Sequence, residues 1–181
     1  MTILQIDSSI TGDHSVSRQL TKATTRQLLA VQPATALVER DLVAQPLAHF
    51  TLGGSGDEEV LDEFLAAETV VIGAPMYNFG VPSQLKAWID RISIAGKTFR
   101  YTAEGRPEGL VGDKRVIVAI SRGSFYEEGG VMEHVETYLK GVFGFLGITP
   151  EFVHADGIAV GPEQREAGIA KGLGEVERLA A

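Results

Sequence analysis

Residues 68–94 read ETVVIGAPMYNFGVPSQLKAWIDRISI, and this stretch decides the fold. Its opening, residues 68–74, is a mostly apolar run of the length and composition typical of a strand buried on both faces. Residues 83–94 instead repeat apolar side chains at helical spacing, from Leu85 through Trp88 to Ile92, which predicts a helix with one buried face. A buried strand followed by a short loop and an amphipathic helix is the repeating unit of α/β proteins.

The same order of strand, loop and helix recurs along the chain. Predicted strands are at residues 3–7, 34–41, 68–74, 115–120 and 151–155, and predicted helices are at 17–31, 57–67, 83–94, 131–147 and 163–179. Because a helix connects each strand to the next, consecutive strands run in the same direction. We therefore expect one α/β domain over residues 1–181, a three-layer sandwich around a five-stranded parallel sheet. Residues 97–113 depart from this alternation, and their segments TFRY and GLVG are predicted to pair as a small ribbon.

The composition excludes several classes of function. With 44% hydrophobic and 22% charged residues, the 181-residue chain has the make-up of a globular protein. Its net charge of −8 opposes binding to nucleic acid, since such binding depends on Lys and Arg that neutralise phosphates. The sequence has no cysteine, so any redox chemistry requires a bound cofactor. An N-terminus that leads directly into a strand, and the lack of a long apolar run, predict a cytoplasmic protein with no membrane partner.

Familiar catalytic and nucleotide-binding motifs are missing or incomplete. GKT at residues 96–98 matches the end of a phosphate-binding P-loop, but Arg91 stands at the position of the leading glycine, and a helix precedes it. No G-x-G-x-x-G follows the first strand, and no G-x-S-x-G elbow is present. The third strand ends in glycine, alanine and proline rather than in the aspartate of a phosphoacceptor domain. The four histidines, at positions 14, 49, 134 and 154, lack the spacing of metal ligands, so no metal site is predicted.

Unusual residues concentrate in the loops after the first, third and fourth predicted strands. These loops span residues 8–15, 75–82 and 121–130. In a parallel sheet such loops lie at one edge, where α/β proteins bind their ligands. The first loop is rich in hydroxyls and leads into a helix start, which suits a terminal phosphate. Capping of the helix by Ser15 or Ser17 explains the same pattern.

The second and third loops also allow two interpretations each. Met76, Tyr77 and Phe79 supply apolar surface. Asn78 and Gly80 tolerate unusual φ angles. The second loop can therefore grip a flat aromatic ligand, or Met76 and Phe79 can plug the core instead. In the third loop, the glycine of SRGS permits close approach of the backbone to a ligand, or simply forms a turn.

Several stretches together resemble one family, the FMN-dependent NADH-azoreductases, which are flavodoxin-like quinone and azo-dye reductases. The matching segments are SSITGDHSVSRQL at 8–20, APMYNFGVPSQLKAWID at 74–90, GKTFRYTAEGRPEGLV at 96–111, SRG at 121–123 and FGFLGITPEFVHADGIAVGPE at 143–163. They occur in the family's order across nearly the whole chain.

The resemblance implies a flavodoxin-like fold and a set of site residues. It places the FMN phosphate at the first loop, the flavin ring along the second loop and the pyrimidine edge at the third. The implied FMN-binding residues are Ser9, Ser15, Val16, Ser17, Met76, Tyr77, Asn78, Phe79, Ser121, Arg122, Gly123 and Ser124. Phe99 and Phe145 match positions that wall the substrate cleft, one from each chain of a homodimer. Tyr126 is either a proton donor or edge contact to the substrate, or a packed surface tyrosine.

The resemblance also implies an activity. FMN takes hydride from NADH and passes it to a quinone or an azo compound in a ping-pong mechanism, with no indispensable catalytic side chain. A homodimer places the active site at its interface. Two alternatives share the fold, a flavodoxin-like electron carrier and an FMN, nitro or chromate reductase. Residues 46–59 form a shorter stretch than in the enterobacterial azoreductases, and this stretch is expected to affect the substrate range.

Overall fold

A computed structural model gives the fold of residues 1–51 and 58–180. Within these residues the strands are β1 (Thr2–Asp7), β2 (Ala36–Asp41), β3 (Thr69–Pro75), β4 (Phe99–Tyr101), β5 (Pro107–Gly109), β6 (Arg115–Ser121) and β7 (Glu151–Ala155). The helices are α1 (Val16–Val31), α2 (Glu58–Ala66), α3 (Ser83–Ile92), α4 (Glu136–Phe145) and α5 (Pro162–Ala180), and a 3-10 turn at Gly12–His14 precedes α1.

The five long strands form a parallel sheet in the order β2-β1-β3-β6-β7. This confirms the predicted five-stranded parallel sheet. The chain passes from β1 outward to β2 and then crosses to β3 on the other side of β1, so the strand order reverses between β1 and β3. Crevices beyond the carboxyl ends of strands at such a reversal are where α/β proteins bind ligands.

Both faces of the sheet are buried, as the alternation of side chains along β6 shows. Val116, Val118 and Ile120 belong to a core that includes residues of α2, α3 and α4. Ile117 and Ala119 point to the opposite face and pack in a second core with residues of α1 and α5. Because successive side chains of a strand alternate between faces, an all-apolar strand needs a helical layer on each side. The predicted three-layer sandwich is therefore confirmed.

Helix α4 begins later than the sequence pattern predicts. The helix was expected from residue 131, but it starts at Glu136. The carboxylate of Glu133 accepts hydrogen bonds from the backbone N–H groups of Val135 (3.1 Å) and Glu136 (2.9 Å). It also accepts the N–H of Thr137 at 3.1 Å, so it satisfies donors that a helix start leaves without partners. The apolar residues before Glu133 belong to the preceding loop, and that part of the prediction is wrong.

The predicted ribbon forms, but its second strand lies elsewhere. Phe99 pairs with Gly109 at one end of an antiparallel ladder, and the second strand ends there instead of continuing through residues 110–112. A Cβ on Gly109 would lie 2.1 Å from the carbonyl carbon of Leu146, so only glycine fits against this turn. The close contact fixes the ribbon against the end of α4.

Two expectations concern the chain outside the long strands. Of the stretch 46–59, residues 52–57 lie outside the described residues, so its effect on substrate range stays a prediction. Among the described helices, none combines the length and the hydropathy that a membrane crossing requires.

Candidate functional site

A cleft of about 590 Å³ opens beyond the carboxyl ends of the strands, where the three predicted loops meet. From the first loop it is lined by Ser9, Ser15 and Val16, from the second by Met76 and Tyr77, and from the third by Ser121, Arg122 and Gly123. Eight of the twelve predicted FMN-binding residues therefore share one cavity wall. Its volume falls in the range of roughly 300–1,000 Å³ usual for small-molecule sites.

The other four predicted residues lie beside this cleft. Ser17, the second residue of α1, is fully buried. Asn78 lines a neighbouring depression on the far side of Met76 and Tyr77. Phe79 and Ser124 are exposed on the second and third loops.

A fourth loop, between β7 and α5, also contributes to the cleft and was missed by the sequence analysis. It supplies Ile158 and Ala159, and the first turn of α5 supplies Arg165. The signal was available, because the family-like segment at 143–163 runs through this loop. What the sequence could not show is that β7 lies next to β6, which brings the two loops together.

The start of α1 combines a helix cap with a potential anion site. The Ser15 hydroxyl accepts the N–H of Arg18 at 3.2 Å, so the capping interpretation is confirmed for Ser15. The same hydroxyl lies 3.1 Å from the hydroxyl of Ser17. The N–H groups of Val16 and Ser17 have no acceptor within the helix, since a helix leaves its first donors unpaired. Free amides, hydroxyls and the positive end of the helix dipole all favour a bound anion.

The first and second loops are joined by the hydroxyl of Tyr77. It lies 3.1 Å from the hydroxyl of Ser9 and accepts the N–H of Ile10 at 3.2 Å. The second loop is joined in turn to the third, because the N–H of Met76 donates to the carbonyl of Ser121 at 2.8 Å. Direct hydrogen bonds therefore set the relative positions of the three loops.

The second loop contains a tight turn with two residues in the left-handed region. Tyr77 and Gly80 exchange two backbone hydrogen bonds, of 3.0 and 3.1 Å. Between them Asn78 has φ 48° and Phe79 has φ 70°, as the two central residues of a type I′ turn require. Asn78 tolerates unusual φ as predicted, but Phe79 rather than Gly80 takes the second left-handed position. A bulky side chain there is strained, and such strain concentrates at functional sites.

The core-plug interpretation of the second loop holds for one of its two residues. Met76 is half-buried and packs against the larger core. Phe79 is 41% exposed and lies outside the core. Its ring therefore remains available at the rim of the site.

The third loop is held by backbone pairing with the fourth. The carbonyls of Arg122, Gly123 and Ser124 accept the N–H groups of Ile158 (3.1 Å), Ala159 (2.9 Å) and Gly157 (3.1 Å), respectively. The backbone of this loop is thus fixed where it borders the cleft.

The buried guanidinium of Arg122 forms ion pairs with carboxylates of the protein itself. Its Nε donates to the Oδ1 of Asp156 at 2.6 Å, and its Nη1 lies 3.6 Å from the Oε1 of Glu133. Two carboxylates therefore offset this positive charge. What Arg122 offers to a ligand is its backbone rather than a free charge.

A second, partly buried network of hydrogen bonds supports the first loop. Arg18 donates to both carboxylate oxygens of Asp41, each at 2.7 Å, and to the carbonyl of Ser9 at 3.0 Å. The hydrogen bonds from Arg18 lower the pKa of Asp41 to about 2. Asp7, at the end of β1, has its pKa raised because burial penalises the charged form, although Gln5 and Thr21 donate hydrogen bonds to it.

The predicted substrate-lining residues are not among those lining the cleft of this single chain. Phe99 and Phe145 pack against each other with ring centroids 4.5 Å apart. That they wall a substrate cleft from the two chains of a homodimer stays a prediction, because the structure describes one chain. Tyr126 is half-buried and packs edge-on against Phe79, with centroids 6.5 Å apart, as the packed-tyrosine interpretation expects.

The arrangement can bind an elongated ligand with an anionic end and a flat apolar body. Hydroxyls and helix amides stand at one end of the cleft, and Pro75, Met76 and Tyr77 provide apolar surface along it. No group of three or more His, Asp or Glu side chains able to hold a metal occurs within residues 1–51 and 58–180.

Comparison with known proteins places these features in a family. The protein family described as having the flavodoxin-like fold matches residues 1–180 of the chain. The FMN-dependent NADH:quinone oxidoreductase 2 of Bradyrhizobium diazoefficiens is 54% identical over 198 residues, covering 96% of this chain and 96% of that protein. The FMN-dependent NADH:quinone oxidoreductase of Sinorhizobium fredii is 50% identical, with coverage of 99% and 100%.

Solved structures of azoreductases also match the chain over nearly its whole length. An azoreductase from Bacillus anthracis matches with a TM-score of 0.87 and 30% identity, covering 99% of this chain and 98% of that one. An FMN-dependent NADH-azoreductase from the same organism, in complex with FMN, matches with a TM-score of 0.84 and 26% identity, covering 99% of each chain.

Proposed function

Because the chain belongs to the family with the flavodoxin-like fold, we propose that its cleft binds FMN and that the protein reduces quinones and azo compounds with electrons from NADH. It is an FMN-dependent NADH:quinone oxidoreductase, as its relatives at about half identity are named. The observation that carries the proposal is the convergence on one cleft of a free helix start, an apolar turn and a glycine-containing loop.

The residues present fit FMN in the chemistry of their donors. Ser9, Ser15 and Ser17, with the first amides of α1 at Val16 and beyond, would hold the phosphate. The turn at 76–79 would lie along the flavin ring. The backbone of 121–124 would border the pyrimidine edge, a role that leaves the Arg122 guanidinium in its ion pairs.

Bound FMN would supply the hydride chemistry that links NADH to the quinone or azo substrate. The protein's part is to bind the cofactor, to orient it and to leave one face open to each substrate in turn, which gives ping-pong kinetics. The two backbone hydrogen bonds between Tyr77 and Gly80 hold the strained residues Asn78 and Phe79 in place, so that the second loop is organised before the cofactor arrives. Phe99, Phe145 and Tyr126 remain candidates for contacts to the substrate.

The proposal includes a homodimer with the site at its interface. Large apolar side chains are exposed on the second loop and on the segment between β6 and α4, with Phe79 at 41%, Phe125 at 64%, Val131 at 87% and Met132 at 47%. Exposed apolar clusters of this kind mark surfaces that other molecules cover. Light scattering at micromolar concentration tests this part, and a monomer would contradict it.

The activity is tested by mixing the protein with FMN, excess NADH and menadione and following the nicotinamide absorbance. Continuous NADH oxidation that depends on both protein and FMN is the expected result. An electron carrier would instead stop after about one NADH per flavin, and this outcome would overturn the proposed enzyme. Protein without FMN is the matched control.

A further inference from the structure

We propose that Arg165 is a further FMN-binding residue, which pairs with the cofactor's phosphate and makes the site select FMN over riboflavin. The inference rests on the proposed function, because it assigns a partner to the phosphate of the same cofactor. Neither the motif pattern nor the family-like segments pointed to this residue, which lies just beyond the last of them.

Arg165 lies where the phosphate end of the cleft is expected. It sits in the first turn of α5 and lines the cleft together with His14 and Ser15. Its Nη2 donates to the carbonyl of His14 at 3.0 Å. Because His14 directly precedes Ser15, the N-cap of α1, this bond holds the guanidinium next to the helix start.

Arg165 also differs from the other arginines near the first and third loops in how its charge is used. Arg122 is paired with Asp156 and Glu133, and Arg18 is paired with Asp41. Among the residues that the structure describes, Arg165 forms no ion pair, and its hydrogen bond goes to a carbonyl. A guanidinium has five N–H donors in a planar fork, so donors remain for two phosphate oxygens.

The charge balance of the protein makes such a cation useful. A phosphate monoester carries a charge of roughly −1.5 to −2 at neutral pH. The chain has a net charge of −8, and Asp13 and Glu163 lie close in sequence to the proposed contact. A dianion therefore approaches a protein whose net charge has the same sign, and a guanidinium at the helix start offsets this repulsion. Riboflavin has no phosphate, so Arg165 contributes nothing to its binding.

The experiment titrates the full-length chain, freed of flavin, with FMN and separately with riboflavin, and follows flavin fluorescence. Arg165→Gln is expected to raise the Kd for FMN by about tenfold, the effect of one charge-assisted hydrogen bond, and to leave riboflavin binding unchanged. Arg165→Lys should recover part of the affinity, since the charge stays but the fork is lost. Arg178→Gln, an exposed arginine near the other end of the same helix, is the matched control and should behave as wild type.

The possible outcomes separate this inference from the proposed function. If wild type binds FMN and Arg165→Gln binds it within twofold, the inference is wrong and the proposed function stands. An equal loss of FMN and riboflavin affinity would also overturn it, because it would indicate a structural defect. If wild-type protein binds neither flavin, the proposed function fails, and the inference fails with it.

Discussion

The hydroxyl of Tyr77 lies 3.1 Å from the hydroxyl of Ser9, although the two residues are 68 positions apart in the chain. This contact joins the loop proposed for the FMN phosphate to the loop proposed for the flavin ring. The two halves of the cofactor site are therefore mechanically connected before any ligand binds.

Replacing Tyr77 with Phe removes this connection and keeps the ring. We expect the Kd for FMN to rise about fivefold, because one hydrogen bond to a neutral group is worth roughly 0.5–1.5 kcal/mol. Tyr101→Phe is the control, since the Tyr101 side chain is 62% exposed on the ribbon. Flavin fluorescence titration measures both variants, and an unchanged Kd for Tyr77→Phe would show that the connection has no role in binding.

The left-handed turn is tested by a pair of substitutions at Asn78. Proline fixes φ near −65° and cannot adopt the observed 48°, so Asn78→Pro must distort the second loop. We expect it to lower menadione reduction more than about tenfold. Asn78→Gly fits the same φ without strain and should keep most of the activity. Near-normal turnover of the proline variant would contradict the proposed role of this loop.

Two substitutions at Ser15 separate its capping role from its proposed phosphate contact. Ser15→Ala removes the acceptor for Arg18 N–H and should lower the unfolding free energy of the flavin-free protein by about 1 kcal/mol. Ser15→Asp keeps a capping oxygen and so should keep most of that stability. Its carboxylate faces the proposed phosphate, however, and should weaken FMN binding more than Ser15→Ala does. Urea denaturation and FMN titration give the two readouts, and tight FMN binding by Ser15→Asp would place the phosphate elsewhere.

From the ion pair of Arg18 and Asp41 we predict how the unfolding free energy depends on pH. The folded pKa of Asp41 is about 2 against an unfolded value of 3.8, so its ionised form stabilises the fold above pH 3.8. This contribution is lost as the pH falls toward 2. Asp41→Asn should therefore lower the unfolding free energy at neutral pH, by no more than about 1 kcal/mol because the Asp41 side chain is 37% exposed.

The difference between Asp41→Asn and wild type should shrink as the pH falls from 5 toward 2, as measured by urea denaturation at each pH. Glu108→Gln is the comparison, because Glu108 pairs with Arg100 on an exposed ribbon and should matter less. A difference that stays constant with pH would mean that the ionisation of Asp41 does not stabilise the fold.

Local patterns predicted most of the scaffold, and the family resemblance named eight of the fourteen residues that line the cleft. The strands were predictable because their apolar runs are continuous, and the loops because serines, prolines and glycines cluster after those runs. The start of α4 could not be predicted in this way, because it depends on hydrogen bonds from the first helix amides to the carboxylate of Glu133. The left-handed φ of Phe79 could not be predicted either, because the two backbone hydrogen bonds between Tyr77 and Gly80 impose it.

By itself, the sequence determined the order of strands and helices, the parallel sheet and the edge of the sheet at which the cleft opens. Each of these follows from residues that are neighbours in the chain, whose periodicity is visible without coordinates. Only the tertiary structure decided that Arg165 lies beside His14, 151 positions away, and that Arg122 forms an ion pair with Asp156. Such contacts depend on which strands and helices become neighbours in space, and hydrophobic periodicity carries no information about that.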